Sequence, residues 1–265
     1  MSWHNAIMYD IEPHIAELYD QSETYTDDVE LIRNLIDGRG SLRILEPFCG
    51  TGRVLIPLAL DGHELVGLDQ AKGMLARARA KTAELSKDVQ ERITLVEVNV
   101  ISYEWPQGFD LVILGGNCFY ELATPQEQEQ CIASAATVLN FGGYIYVDNN
   151  HMEGALDESW RHPGAREGFP TGICDDGTRI ESTTETIWYD ASARLVRFRR
   201  STRVALPGGR IVEKEYVQQK HPVSTIEVQA WLNTHGFVIE QLYGDRAGNP
   251  YTETSERAIF WARKT

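Results

Sequence analysis

The sequence predicts an α/β fold with an antiparallel β insert, on three observations. Short apolar strands alternate with helical runs between residues 27 and 148. A glycine loop, Gly50-Thr51-Gly52, joins the first strand to the next helix. Beyond Asp148 the alternation gives way to three long strand-like runs with turn residues and no helix between them. Together they describe a Rossmann-like, seven-stranded, mostly parallel sheet with helices on both faces, plus an inserted antiparallel β-meander.

Each element has its own local signal. Residues 9–21 form a short helical pattern punctuated by aromatics. Asp27 reads as an N-cap with Glu30 three residues on, and Val29, Leu31, Ile32, Leu35 and Ile36 give the helix an apolar face that stops at Asp37-Gly38. Residues 42–46 are the first strand, 53–60 a helix, and 64–69 a second strand ending in an acid. Residues 71–85 are rich in strong helix formers. Strands follow at 93–99 and 109–114, the latter apolar enough to be central. Thr124, Pro125 and Glu127 supply a cap, a first helical position and a capping carboxylate for a helix that Phe141-Gly142-Gly143 ends. Residues 144–148 are the fifth strand. After an irregular stretch at 149–177, strand runs at 179–189, 194–206 and 210–220 make the meander. Ser224 and Glu227 form a capping box, and 237–243 and 258–262 are the last strands.

The chain has 265 residues and a formal net charge of −14, from 25 Lys and Arg against 39 Asp and Glu. That balance argues against polyanions as partners, because nucleic-acid binding is driven by cations that neutralise phosphates. The run Arg194, Arg197, Arg199, Arg200 and Arg203 reads as the solvated face of a strand pair. No apolar run is long enough for a membrane helix, and residues 1–5 lack the pattern of a signal peptide. Cys49, Cys118, Cys131 and Cys174 include no CxxC pair, so neither a metal site nor a redox motif is expected, and reduced thiols suit a cytoplasmic protein.

The chemistry starts at the glycine loop. A strand, glycine turn and helix N-terminus present free backbone N–H groups to a ligand, and Asp69 at the end of the next strand suits a pair of ribose hydroxyls. A nucleoside-bearing cofactor is therefore expected. Leu55 stands where a dinucleotide fingerprint needs Gly or Ala, which disfavours NAD(P). Arg53-Val54 after Gly52 excludes a P-loop. Glu46 beside the loop repels a pyrophosphate and favours an ammonium or sulfonium.

These residues resemble the class I S-adenosylmethionine-dependent methyltransferases. Ile44 to Arg53 looks like their first motif. Val66 to Gln70 with Met74 to Arg79 looks like the second strand and its helix. Phe109 to Ile113 and Leu139 to Tyr144 look like the fourth strand and the turn before the fifth. The resemblance implies that S-adenosylmethionine is the cofactor and S-adenosylhomocysteine its product. Glu46, Gly50, Thr51, Gly52 and Gly115 would hold the methionine half, Asp69 and Gln70 the ribose, and Met74, Asn99 and Val100 the adenine. Asn99 departs from the usual Asp.

The acceptor is read the same way. The Asn/Asp-Pro-Pro-aromatic element of base-methylating enzymes is absent at Gly115 to Tyr120. Gly116-Asn117-Cys118-Phe119 resembles instead the glycine/sarcosine and sugar N-methyltransferases. By that resemblance residues 1–26 form a lid with Tyr19 and Tyr25 over the cofactor. Residues 27–148 and 224–265 form the cofactor-binding core, and 149–223 a substrate lobe. Asn117, Tyr120 and Asn150 would face the acceptor, and self-association through the lobe or N-terminal segment is implied. Asn150 stands where the glycine enzymes carry a carboxylate-binding Arg, and neither Arg161 nor Arg166 matches that position. This points to another small amine, or to a hydroxyl compound with His151 as general base. Tyr120, Trp160, Trp188 and Tyr216 either box a methylated ammonium or belong to the lobe core. A non-catalytic protein that binds the cofactor is the remaining alternative.

Overall fold

The computed structural model describes residues 13–150, 160 and 164–265. Five strands run parallel through the main sheet: β1 (Arg43–Pro47), β2 (Glu64–Asp69), β3 (Ile93–Glu97), β4 (Phe109–Leu114) and β5 (Leu139–Asn150). Two more, β11 (Phe237–Tyr243) and β12 (Arg257–Lys264), complete the order β11-β12-β5-β4-β1-β2-β3. β12 is antiparallel to both of its neighbours. The expected seven-stranded, mostly parallel sheet is therefore what the chain forms.

Both faces of this sheet are buried, which is why β4 is apolar at successive positions. Leu111 and Ile113 pack with Ile32 of α2 (Asp27–Ile36), Leu58 of α3 (Leu55–Leu60) and Leu75 of α4 (Lys72–Ala83). Val112 and Leu114 pack on the other face with Ile132 of α6 (Pro125–Val138) and Leu232 of α7 (Thr225–Thr234). A short α5 (Lys87–Glu91) precedes β3. Gly67 of β2 has a packing reason. A Cβ there would lie 2.7 Å from both Cys49 Sγ and Leu55 Cδ1, so only glycine lets the loop lie flat on β2.

The second sheet has the order β10-β9-β8-β6, from β6 (Ala165–Glu167), β8 (Arg179–Asp190), β9 (Leu195–Ala205) and β10 (Ile211–Lys220), with β7 (Gly172–Ile173) paired to β8. Its outer face is a charge ladder in which Arg199 meets Glu185 and Glu215, and Arg203 meets Glu181 and Glu213. Such exposed pairs contribute little stability each. The arginine run is thus only partly a solvated face. Arg200 turns inward, where its Nε donates to Gln218 Oε1 at 2.6 Å.

Helix α1 (Pro13–Ser22) lies between the two sheets. Ala16 and Tyr19 pack on Ala71 and Met74 of the core, while Ile15 and Leu18 pack on Cys174, Ile180 and Val204 of the lobe. Asp20 fixes the core side. It accepts from Thr51 Oγ1 at 2.6 Å and pairs with Arg77 and Lys81 of α4. Glu17 accepts from the backbone N–H of Asp175 at 2.6 Å on the lobe side.

Three local readings change. The α2 cap is Thr26 rather than Asp27, and no side chain closes it. The fifth strand begins at Leu139, before its glycines. Phe109 pairs with Leu139 and Leu111 with Tyr144, so residues 140–143 loop out of a ladder that continues on either side. The irregular stretch holds β6 and β7, both too short for a periodic signal. Among the described residues no helix is long and apolar enough to cross a membrane, and no His/Cys/Asp/Glu group could hold a metal ion.

Candidate active site

The C-terminal ends of β1, β2 and β4 open into a cleft whose enclosed volume is about 110 Å³. This is where an open α/β sheet binds ligands. Glu46, Phe48, Cys49 and Gly50 line it from β1 and the glycine loop, Asp69, Gln70 and Met74 from β2 and α4, and Gly115 and Gly116 from beyond β4. Tyr19 reaches in from α1, Glu121 from the short helical turn Cys118–Glu121, and Gln218 from the lobe. Core, lobe and α1 therefore share one cleft.

The loop conformation is set by its glycines. Gly50 and Gly52 have φ of 54° and 78°, and a Cβ on Gly50 would stand 3.3 Å from Met74 Cε. Phe48 also adopts positive φ, at 63°, a conformation unfavourable for an aromatic residue, and it too lines the cleft. Asp69 ties loop to strand: its Oδ2 accepts from the Gly50 N–H and its Oδ1 from the Ala71 N–H, each at 2.8 Å. Burial raises its carboxyl above the ordinary range, and these backbone donors oppose that. Each oxygen keeps lone-pair capacity for a ligand hydroxyl.

Glu46 is the most perturbed acid here. Burial pushes its carboxyl up to about 8, with Arg53 opposing and the charges of Asp28 and Asp69 reinforcing. Its Oε2 is buried and accepts no hydrogen bond. A buried carboxylate oxygen without a donor is destabilising unless a ligand supplies a cation. The ammonium-bearing, sulfonium-bearing end of S-adenosylmethionine supplies one, so the residues present fit the group.

The remaining expected residues divide. Tyr19, Glu46, Gly50, Asp69, Gln70, Met74 and Gly115 lie in the cleft wall, and Thr51, Gly52, Tyr25, Asn99, Val100, Asn117, Tyr120 and Asn150 are not among the residues that line it. Thr51 is fully buried and holds Asp20, and Val100 is a core residue. Asn99 donates to Gln70 Oε1 at 3.0 Å while its Oδ1 accepts from the N–H groups of Ile101 and Ser102. It thus positions Gln70 and its own turn. Asn117, at φ 60°, accepts from Asn150 N–H at 2.7 Å and from Arg257 Nη2 at 2.9 Å. The Tyr120 hydroxyl, pushed up to about 12 by burial, donates to the Asn150 carbonyl at 3.2 Å. The aromatic set does not assemble: Trp160 packs on Tyr120 and Phe198, while Trp188 lies half-exposed under Arg197. His151 and Arg161 lie outside the described residues.

Sequence reasoning missed a buried charge network behind the cleft. Asp148, fully buried at the end of β5, receives Arg246 Nε at 2.9 Å and Arg257 Nη2 at 2.6 Å. Asp28, also buried, pairs with Arg53 at 2.6 Å. Tyr25 joins the two centres. The guanidinium carbons of Arg53 and Arg246 lie 4.0 and 4.3 Å from its ring centroid. An acid ending a buried strand signals a partner, but residues 246 and 257 are too distant in sequence for spacing to identify them.

A sheet of this order, with a glycine loop after β1 and a half-buried acid ending β2, defines a nucleoside-cofactor fold of the methyltransferase type. Residues 44–143 match the family model described as a methyltransferase domain. The chain is similar to a protein of Geobacillus sp. strain WCH70 named as a methyltransferase. The two are 26% identical over 232 residues, 85% of this chain and 86% of that one. It is 24% identical to the glycine N-methyltransferase of Oryctolagus cuniculus over 185 residues, 66% of this chain and 61% of that one. Glycine/sarcosine N-methyltransferases and ribosomal RNA uracil-C5 methyltransferases are also among its relatives, over shorter shares of their length. In fold it is similar to the sugar N-methyltransferase KedS8 of Streptoalloteichus sp., with a TM-score of 0.70, 17% identity, and coverage of 98% and 97% of the two chains. The chain is an S-adenosylmethionine-dependent methyltransferase.

Proposed function

We propose that this methyltransferase transfers its methyl group to the nitrogen of a small molecule. The observation that carries this reading is the construction of the cleft. Tyr19 of α1 and Gln218 of the lobe line the same space as the glycine loop, so an acceptor must fit between core and lobe. That geometry suits a molecule of cofactor size, and the net charge of −14 disfavours a nucleic-acid acceptor. The names of the glycine and sugar N-methyltransferase relatives support nitrogen as the acceptor atom.

When bound, S-adenosylmethionine would supply an electrophilic methyl group for the acceptor's lone pair. The chain's own residues bind and orient. Glu46 would face the cationic end of the cofactor, Gly50 would give close backbone approach, Asp69 and Gln70 would take the ribose hydroxyls, and Met74 would flank the base. Such an in-line transfer draws much of its rate from positioning. The four described thiols are free and buried, which suits a reducing cytoplasm.

The test is transfer of isotope-labelled methyl groups from S-adenosylmethionine to a panel of amino acids, amino sugars and simple amines. Matched hydroxyl compounds and ribosomal RNA serve as comparisons. Label on a small amine is the expected result, and label confined to RNA or to hydroxyl compounds would overturn the reading.

A further inference from the structure

Three carboxylates line the cleft. Glu46 and Asp69 stand beside the glycine loop and are accounted for by the cofactor. Glu121 comes from the turn after β4, where the lobe meets the core, and its charge acts on Asp69. Gln218 Nε2 approaches its Oε2 at 3.4 Å, and Lys220 Nζ stands 3.7 Å from its Oε1. Both come from β10. Arg200 donates to the Gln218 carbonyl oxygen at 2.6 Å, which turns the amide's donor end toward Glu121. The lobe thus presents two donors to one carboxylate of the cleft wall. A neutral hydroxyl acceptor gains little from a negative charge there, whereas an ammonium gains directly.

Resting on the reading of a small amine acceptor, we propose that Glu121 is the group that binds the acceptor's ammonium and takes its proton. In that step an N–H bond breaks, its electron pair stays on nitrogen as the nucleophilic lone pair, and the proton rests on the Glu121 carboxyl. Lys220 is the built-in cation of the same carboxylate. It occupies the position that the acceptor's ammonium competes for. The substrate class is therefore a primary or secondary amine that arrives protonated, with its charged nitrogen directed at the lobe side of the cleft.

The test needs no knowledge of the natural acceptor. Sinefungin is a cofactor analogue in which a carbon bearing a primary amine replaces the methylated sulfur, so its ammonium probes the space between cofactor and acceptor. Calorimetry would compare sinefungin with S-adenosylhomocysteine on the wild type, Glu121→Gln and Lys220→Met. We expect Glu121→Gln to weaken sinefungin by tenfold or more while S-adenosylhomocysteine stays within about twofold. Lys220→Met should tighten sinefungin severalfold, a change opposite in sign that a merely structural role for Glu121 does not produce. Parallel losses of both ligands in Glu121→Gln, or no loss of either, would overturn the assignment and leave the amine reading standing. Label confined to hydroxyl compounds in the wild-type acceptor panel would overturn the amine reading itself.

Discussion

Replacing Glu46 by Gln removes a buried carboxyl whose charged form has no donor for one of its oxygens. Moving that carboxyl from 4.5 to about 8 penalises its ionised form by about 5 kcal/mol. The sign follows from proton counts. Between pH 4.5 and 8 the folded chain holds this proton and the unfolded chain does not, so stability falls as pH rises through that window and levels above it. Gln keeps the shape and cannot ionise. Urea denaturation of the cofactor-free chain from pH 5 to 9 should show Glu46→Gln gaining several kcal/mol on the wild type as pH rises. Taking the difference between the two curves removes the contribution of Asp69, whose raised carboxyl acts in the same direction. S-adenosylhomocysteine carries the ammonium that this carboxylate lacks. Its affinity for the wild type should therefore rise up to tenfold per pH unit between pH 6 and 8 and stay flat for Glu46→Gln. Parallel denaturation curves across the whole range would refute the reasoning.

Asp148→Asn leaves Arg246 and Arg257 without their shared counter-charge. Loss of one partner from a buried pair costs about 3–5 kcal/mol, readable as a lowered urea midpoint with an unchanged slope. Asp69→Ala removes the acceptor for the Gly50 N–H and the expected ribose contact, so S-adenosylhomocysteine should bind about ten- to a hundredfold more weakly by calorimetry. Gly67→Ala drives a methyl into Cys49 and Leu55, and overpacking of this kind costs about 1–3 kcal/mol. It should also weaken S-adenosylhomocysteine, because the displaced Cys49 belongs to the cleft wall.

The parts legible in the sequence are those whose causes are local. Thr124 accepts from the Glu127 N–H behind Pro125, and Ser224 and Glu227 close a reciprocal capping box, as four-residue patterns predict. The loop at Gly50 and the acid at Asp69 are legible because each must stand beside its own strand. The start of the fifth strand was hidden by Gly142 and Gly143, which mark a looped-out excursion as readily as a chain turn. Asn99, Asn117 and Thr51 also hold neighbouring groups, and their partners Gln70, Arg257 and Asp20 are too distant in sequence for spacing to reveal them. Glu121 was overlooked because its partners Gln218 and Lys220 lie in a different sheet, about a hundred residues away.

The antiparallel setting of β12 explains how the chain places cations behind its cofactor cleft. In a parallel neighbour, the residue beside the end of β5 would end its own strand. Because β12 runs the other way, its first residue, Arg257, pairs in register with Asn150, the last residue of β5. The loop entering β12 brings Arg246 to the same carboxylate. Asp148 is thus paired twice at full burial, and its two guanidiniums continue the network outward through Asn117, Asn150 and Tyr25. Tyr25 follows α1, and α1 is held to the glycine loop through Asp20 and Thr51. Arg53, which follows Gly52, pairs with Asp28 and lies over Tyr25, so the Asp148 network and the glycine loop meet at one aromatic ring. Loosening Asp148 should therefore be felt at Tyr19 as well as at Asn117, which fluorescence and cofactor-affinity measurements on Asp148→Asn would register together.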